Sequence, residues 1–114
     1  MKKLINQIIE DCVKHNVPVS ITKDSSGKIC YEVSGFSKSG IATLYISKGK
    51  IICETRYETI DEIESFHDLS LIAFEWYVNY RNRTPFENPE TYWAEYWVEK
   101  GLMKKEIQTI YTLK

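Results

Sequence analysis

The spacing of apolar residues changes period twice along this chain, and that change limits the fold more than any other feature. Leu4, Ile5, Ile8, Ile9, Cys12 and Val13 recur at spacings that put one apolar stripe on a helix over residues 4–15. Asn16 tolerates the left-handed conformation, and Pro18 pushes its predecessor out of the helical region, so the helix stops there. Residues 19–58 then alternate with a period of two, as stretches 19–24, 28–33, 41–47 and 51–57. Turn clusters Ser25-Ser26-Gly27, Gly35 to Gly40 and Lys48-Gly49 separate them, which describes an antiparallel meander. With Lys48-Gly49 as a two-residue hairpin loop, Ile46 faces Ile51 and Leu44 faces Cys53. One face then carries Ala42, Leu44, Ile46, Ile51, Cys53, Thr55 and Tyr57, and this is the expected core side. The other carries Thr43, Tyr45, Ile52, Glu54, Arg56 and Glu58, and is expected to be mostly wet.

From residue 59 the period becomes helical again. Thr59-x-x-Glu62 and Ser65-x-x-Asp68 both have the form of a capping box, so a helix starts at one or the other. Residues 67–81 are apolar almost all round, as expected of a helix packed on the sheet and on a neighbour. A loop over residues 82–86 follows. Asn88-Pro89-Glu90 supplies a cap, a first-turn proline and a first-turn acid for a further helix that runs to Lys100. Gly101-Leu102 closes it. Residues 106–114, rich in Thr, Ile and Tyr, read as a last strand returning to the sheet, with a short helix as the alternative. The expected fold is a single α+β domain spanning residues 1–114. It has an N-terminal helix, an antiparallel meander of three to four strands, and two C-terminal helices packed on one face.

Several function classes lose ground on composition. No apolar run approaches the length needed to cross a bilayer, and Asn6, Gln7, Glu10 and Asp11 interrupt the stretch behind Met1-Lys2-Lys3, unlike a signal peptide. Cys12, Cys30 and Cys53 are odd in number and contain no C-x-x-C pair, which points to reduced thiols in a cytoplasmic protein. No metal site, cofactor or catalytic residue is expected: the chain has no phosphate-binding glycine loop, no G-x-S-x-G and no H-E-x-x-H. His67 beside Asp68 reads as a helix-start residue, and Glu95 and Glu99 as a solvated helix face.

Charge is uneven. Residues 1–50 carry +4, residues 51–100 carry −7, and residues 101–114 carry +2, for a total of −1. Glu54, Glu58 and Glu62 belong to an acidic run that forms an alternative contact face. The sharpest concentration is aromatic: nine of the fifteen aromatic residues lie between Phe74 and Trp97, among them all three Trp. Tyr92/Tyr96 and Trp93/Trp97 form two columns one helical turn apart. One column can pack inward, and the surplus is expected near the surface beside arginine, where binding hot spots collect. The expected partner-binding residues are therefore Tyr77, Tyr80, Arg81, Arg83, Trp93 and Trp97. On this reading Trp93→Ala removes binding and leaves the fold intact.

Cys53-Glu-Thr-Arg-Tyr57, Ile60-Asp-Glu-Ile63, Phe66-His-Asp-Leu69 with Trp76, Pro85-Phe86-x-Asn88-Pro89, and Trp93-Ala94 ahead of Glu99-Lys-Gly-Leu102 give the second half its texture. That texture resembles small uncharacterised proteins encoded by bacteriophages. The resemblance implies a cytoplasmic protein of an infected bacterium that binds a host protein, defence systems such as CRISPR effectors included. The expectation is a non-enzymatic protein-binding protein whose partner is a host protein or a second copy of itself. The alternative is a single-stranded nucleic-acid or nucleotide binder using the aromatics near Arg81 and Arg83. A pI of about 6.1 and scattered basic residues disfavour it.

Overall fold

Helix α1 (Lys2–Lys14) buries Ile5, Ile8 and Cys12, with Leu4 and Ile9 packed beside them. Its end is built from Asn16, which takes φ 63°. The Asn16 N–H donates to the Val13 carbonyl and the Val17 N–H to the Cys12 carbonyl, satisfying acceptors that a helix end leaves open. Val17 is buried by that closure and hands the chain to the sheet.

The structure is a computed structural model that describes residues 2–36, 40–56, 58–81, 89–107 and 110–114, except the side chains of Tyr80, Arg81 and Ile107. Tyr57, Arg83, Phe86 and Asn88 lie outside the described residues, as does the expected 82–86 loop.

Five antiparallel strands follow in meander order: β1 (Val19–Lys23), β2 (Ile29–Ser34), β3 (Ile41–Ser47), β4 (Lys50–Glu54) and β5 (Thr59–Ile60). Ile46 stands opposite Ile51 and Leu44 opposite Cys53, as the alternation requires. Lys48 and Gly49 both have positive φ, 51° and 74°, the pair of left-handed residues that a twisted two-residue hairpin needs. Val33, Ala42, Leu44, Ile51 and Cys53 form the buried face. Ile52 departs from expectation: it sits on the opposite face, yet is buried, across the ladder from Tyr45. Thr59 also departs. It belongs to β5 and pairs with Glu54, because the Thr55 N–H bonds the Glu58 carbonyl and turns the chain back before a helix can start.

The helix start lies at Ser65. Its hydroxyl accepts from the Asp68 N–H at 3.1 Å, and the Asp68 carboxylate accepts from the Glu64 N–H at 2.9 Å. Helix α2 (Phe66–Trp76) runs on into one π-helical turn, Tyr77–Arg81. Phe66, Leu69, Ser70, Ile72, Ala73 and Trp76 are all buried, which is the expected central helix. Helix α3 (Thr91–Glu99) begins two residues later than the proline signal suggests, and Glu90 at its head makes no side-chain cap bond. It closes through Leu102 N–H to the Trp97 carbonyl and Gly101 N–H to the Val98 carbonyl.

The C-terminal segment corrects the expectation of one strand returning to the main sheet. Strands β6 (Met103–Ile107) and β7 (Ile110–Leu113) pair with each other as a separate two-stranded sheet. Met103 and Tyr111 drive this, since both are buried in the same core as the helices and the sheet. No helix among the described residues is long and apolar enough to cross a membrane.

Candidate functional site

The aromatic cluster turns inward. Trp93 and Trp97 are 0% and 1% exposed, and Tyr77 is 4% exposed, so none of the three presents a surface to a partner. Both columns of α3 are spent on the fold, because its buried stripe is broad enough to include Tyr96 as well. Trp93 stacks on Trp97 with ring centroids 6.1 Å apart and on Phe66 at 5.7 Å. Phe36 meets Trp93 edge-on at 5.8 Å, and Phe74 meets Trp97 edge-on at 5.1 Å. The indole N–H groups are occupied too: Trp93 donates to the Ser34 carbonyl and Trp97 to the Ser70 carbonyl. The expected aromatic face is therefore corrected to core for Trp93, Trp97 and Tyr77. The side chains of Tyr80, Arg81 and Arg83 lie outside the described residues.

The acidic alternative is spread over two hollows. Glu54, Glu58 and Glu62 are all exposed. Glu54 accepts from the Tyr45 hydroxyl at 3.1 Å, beside a hollow of about 410 Å³ that Phe36, Arg56 and Trp76 also line. Glu62 lines a different hollow of about 520 Å³ with Asp61, Glu64 and Asp68. There Asp61 is 3.5 Å from Lys50 and Asp68 is committed to the helix start. Glu58 serves the turn through its backbone.

The groups with chemical reach are mostly structural. Burial pushes the Cys12 and Cys53 thiols up to about 12, with Asp11 and Glu58 respectively adding to it, so neither forms a thiolate near neutrality. His15 stacks on Phe66 at 4.9 Å, and the His67 Nδ1 lies 2.8 Å from the Tyr96 hydroxyl. These contacts tie the end of α1 and the start of α2 to α3. Burial also raises Tyr96 above its ordinary range, against a lowering hydrogen bond from Ser70. Among the described residues no three His, Cys, Asp or Glu side chains stand together to hold a metal ion.

One surface does bring apolar area and charge together. A groove of about 390 Å³ opens between the first turn of α1 and the β1–β2 and β3 ends of the sheet. Ile5, Ile29, Tyr31 and Ile46 supply its apolar walls; Lys2 and Lys28 complete the lining, the Lys28 ammonium lying over the Tyr45 ring at 4.7 Å. Ile29 is 50% exposed, so the groove carries apolar surface that the fold itself does not cover. The meander explains its charge. The β1–β2 turn and the β3–β4 turn fall at the same end of the sheet, and Lys28 from the first of them lines the groove with Lys2 from the head of α1. The nearby carboxylate of Asp24 is held by the turn itself, accepting from the N–H groups of Ser26 and Lys28 and from the Ser26 hydroxyl. Those bonds lower its pKa and keep it charged. Sequence reading recorded the positive first half of the chain but not this site. Its parts come from α1, the β1–β2 turn, β2 and β3, and only the folded meander puts them together. No protein-family model, no curated protein and no solved structure matches this chain.

Proposed function

We propose that the protein is a non-enzymatic protein-binding module and that the α1/β2/β3 groove is its docking site. The occupant is a partner segment that offers a large apolar side chain flanked by carboxylates. The observation that carries this reading is the pairing of a half-exposed Ile29 and an apolar floor with Lys2 and Lys28 in the lining. Apolar area supplies affinity, while the lysines select acidic flanks and speed encounter at low salt. In line with the phage-like texture of the second half, we propose that the partner is a host protein met in the cytoplasm, for example a defence or CRISPR effector.

The test is capture of bacterial proteins on the immobilised chain, compared with Ile29→Asp and Lys28→Glu, both changed at residues outside the buried core. A partner held by the natural chain at low salt and lost by both variants, with their melting unchanged, supports the reading. A partner held equally well by both variants places the contact elsewhere. Clustered lysines also attract phosphate, which keeps nucleic acid as the second reading. A labelled single-stranded oligonucleotide that shifts at low salt and is released by Lys28→Glu but not by Ile29→Asp favours it over protein docking.

A further inference from the structure

We infer that the protein pairs with a second copy of itself along β1, antiparallel and centred on Ile21, to join two five-stranded sheets into one. This is independent of the groove reading, which uses other side chains.

The backbone sets the geometry. The Ser34 N–H bonds the Pro18 carbonyl and the Asp24 N–H bonds the Lys28 carbonyl, so the even-numbered residues of β1 point their backbone groups toward β2. Val19, Ile21 and Lys23 therefore aim their N–H and C=O groups away from the sheet, where β1 is the edge strand. Proteins protect such an edge with an internal proline, a bulge or an inward-pointing charge. β1 has neither an internal proline nor a bulge: its pairing with β2 is regular over all five residues, Pro18 precedes it, and its one charge, Lys23 on the face of Val33, stands at its last residue. At its centre stands Ile21, on the same face as Val33 yet 69% exposed, an unusual place to leave a large apolar side chain. Val13, on the helix over that face, is 64% exposed.

A second copy fits this edge because the strand is self-complementary. With Ile21 on the two-fold axis, each Ile21 covers its mate, Val19 lies opposite Lys23, and Ser20 lies opposite Thr22. The three outward residues of each strand then exchange their backbone bonds with the three of the other. Ser20 and Thr22 meet on the outer face, Ile21 meets Ile21 on the core face with the Lys23 stem beside Val19, and no like charges are opposed. The two Lys23 side chains are set about 13 Å apart at ~3.4 Å per residue, beyond a Debye length of about 8 Å. With a net charge of only −1, the copies do not repel at long range. A two-fold arrangement also closes on itself and does not grow into a fibre.

The test is the solution mass of the full chain over a range of concentrations, together with amide exchange. The expected mass at high concentration is twice 13.4 kDa. The amides of Val19, Ile21 and Lys23 should be protected there and should exchange freely on dilution. Ile21→Glu should return the mass to one chain without changing the circular dichroism spectrum. Ile21→Pro should do the same, because it removes an outward N–H and leaves the bonds to β2 in place. A single-chain mass at every concentration overturns the inference. So does a dimer that survives both variants with those three amides unprotected, or protection of them that appears only when an extended partner segment is added.

Discussion

The Trp93 indole N–H donates to the Ser34 carbonyl at 3.3 Å, joining α3 to the end of β2 across 59 residues of sequence. That carbonyl needs a partner for a local reason. Pro18 stands opposite and accepts the Ser34 N–H, but has no N–H to return. The indole takes the place of the missing ladder bond. Next to it Gly35 turns the chain at φ 96°, and a Cβ there would run into the Trp93 indole and the Tyr92 hydroxyl. A proline, a glycine and a tryptophan from three parts of the chain thus form one packed corner. Gly35→Ala is expected to destabilise the protein by about 2–4 kcal/mol, combining an unfavourable φ with overpacking. A urea titration reads this directly, and a Gly35→Ala midpoint equal to that of the natural chain would show the corner to be loose.

Replacing the buried tryptophans should unfold the protein rather than blunt a surface. Trp97 sits among Phe74, Tyr77 and Trp93 and gives its N–H to the Ser70 carbonyl at 3.2 Å. Trp93→Ala and Trp97→Ala are each expected to cost about 3–5 kcal/mol, the range for large core aromatics. Thermal melting followed by circular dichroism checks it. Either variant melting within a few degrees of the natural chain would mean that the ring is not core. This reverses the sequence expectation that Trp93→Ala spares the fold.

That reversal shows where sequence reading stops. Period and turn chemistry are local, so the meander, the Leu44–Cys53 register, the Asn16 and Gly101 helix ends and the Ser65 helix start were all legible. Whether Trp93 faces in or out is not local. It depends on the width of the buried stripe of α3, which Phe36, Phe66 and the Ser34 carbonyl determine from elsewhere in the chain. The groove was hidden for the same reason: Lys2, Lys28 and Ile46 share a surface only once the strands are in register. Strand β6 was missed because Met103-Lys-Lys-Glu carries a single core residue and little apolar alternation.

The β3–β4 hairpin offers a gain in stability. Lys48 holds φ 51°, a conformation that asparagine adopts more readily than lysine. Lys48→Asn keeps the turn and should stabilise the protein by about 0.5–1 kcal/mol. Lys48→Val should move the other way, since a β-branched side chain fits this region worst. If the two variants have the same denaturant midpoint, the turn does not hold this conformation in solution.

Stability should also fall in alkali, in a direction fixed by the two buried thiols. Cys12 and Cys53 keep their protons in the folded chain up to about 12. In the unfolded chain a cysteine loses its proton near ~8.5. Between those values the folded state binds more protons than the unfolded state, so rising pH favours unfolding. The slope approaches about 1.4 kcal/mol per pH unit for each thiol, and below about pH 8 neither thiol contributes one. The Cys12→Ala, Cys53→Ala double variant is expected to be less stable at every pH because it leaves voids, yet to lose less of its remaining stability between pH 9 and 11. Comparing slopes rather than midpoints separates proton linkage from packing. Thiol labelling gives the independent reading: Cys30, the one cysteine that is not fully buried, should react first, with the other two following only as the protein unfolds. Equal labelling rates for all three at pH 8 would show that α1 and β4 open far more easily than their packing implies.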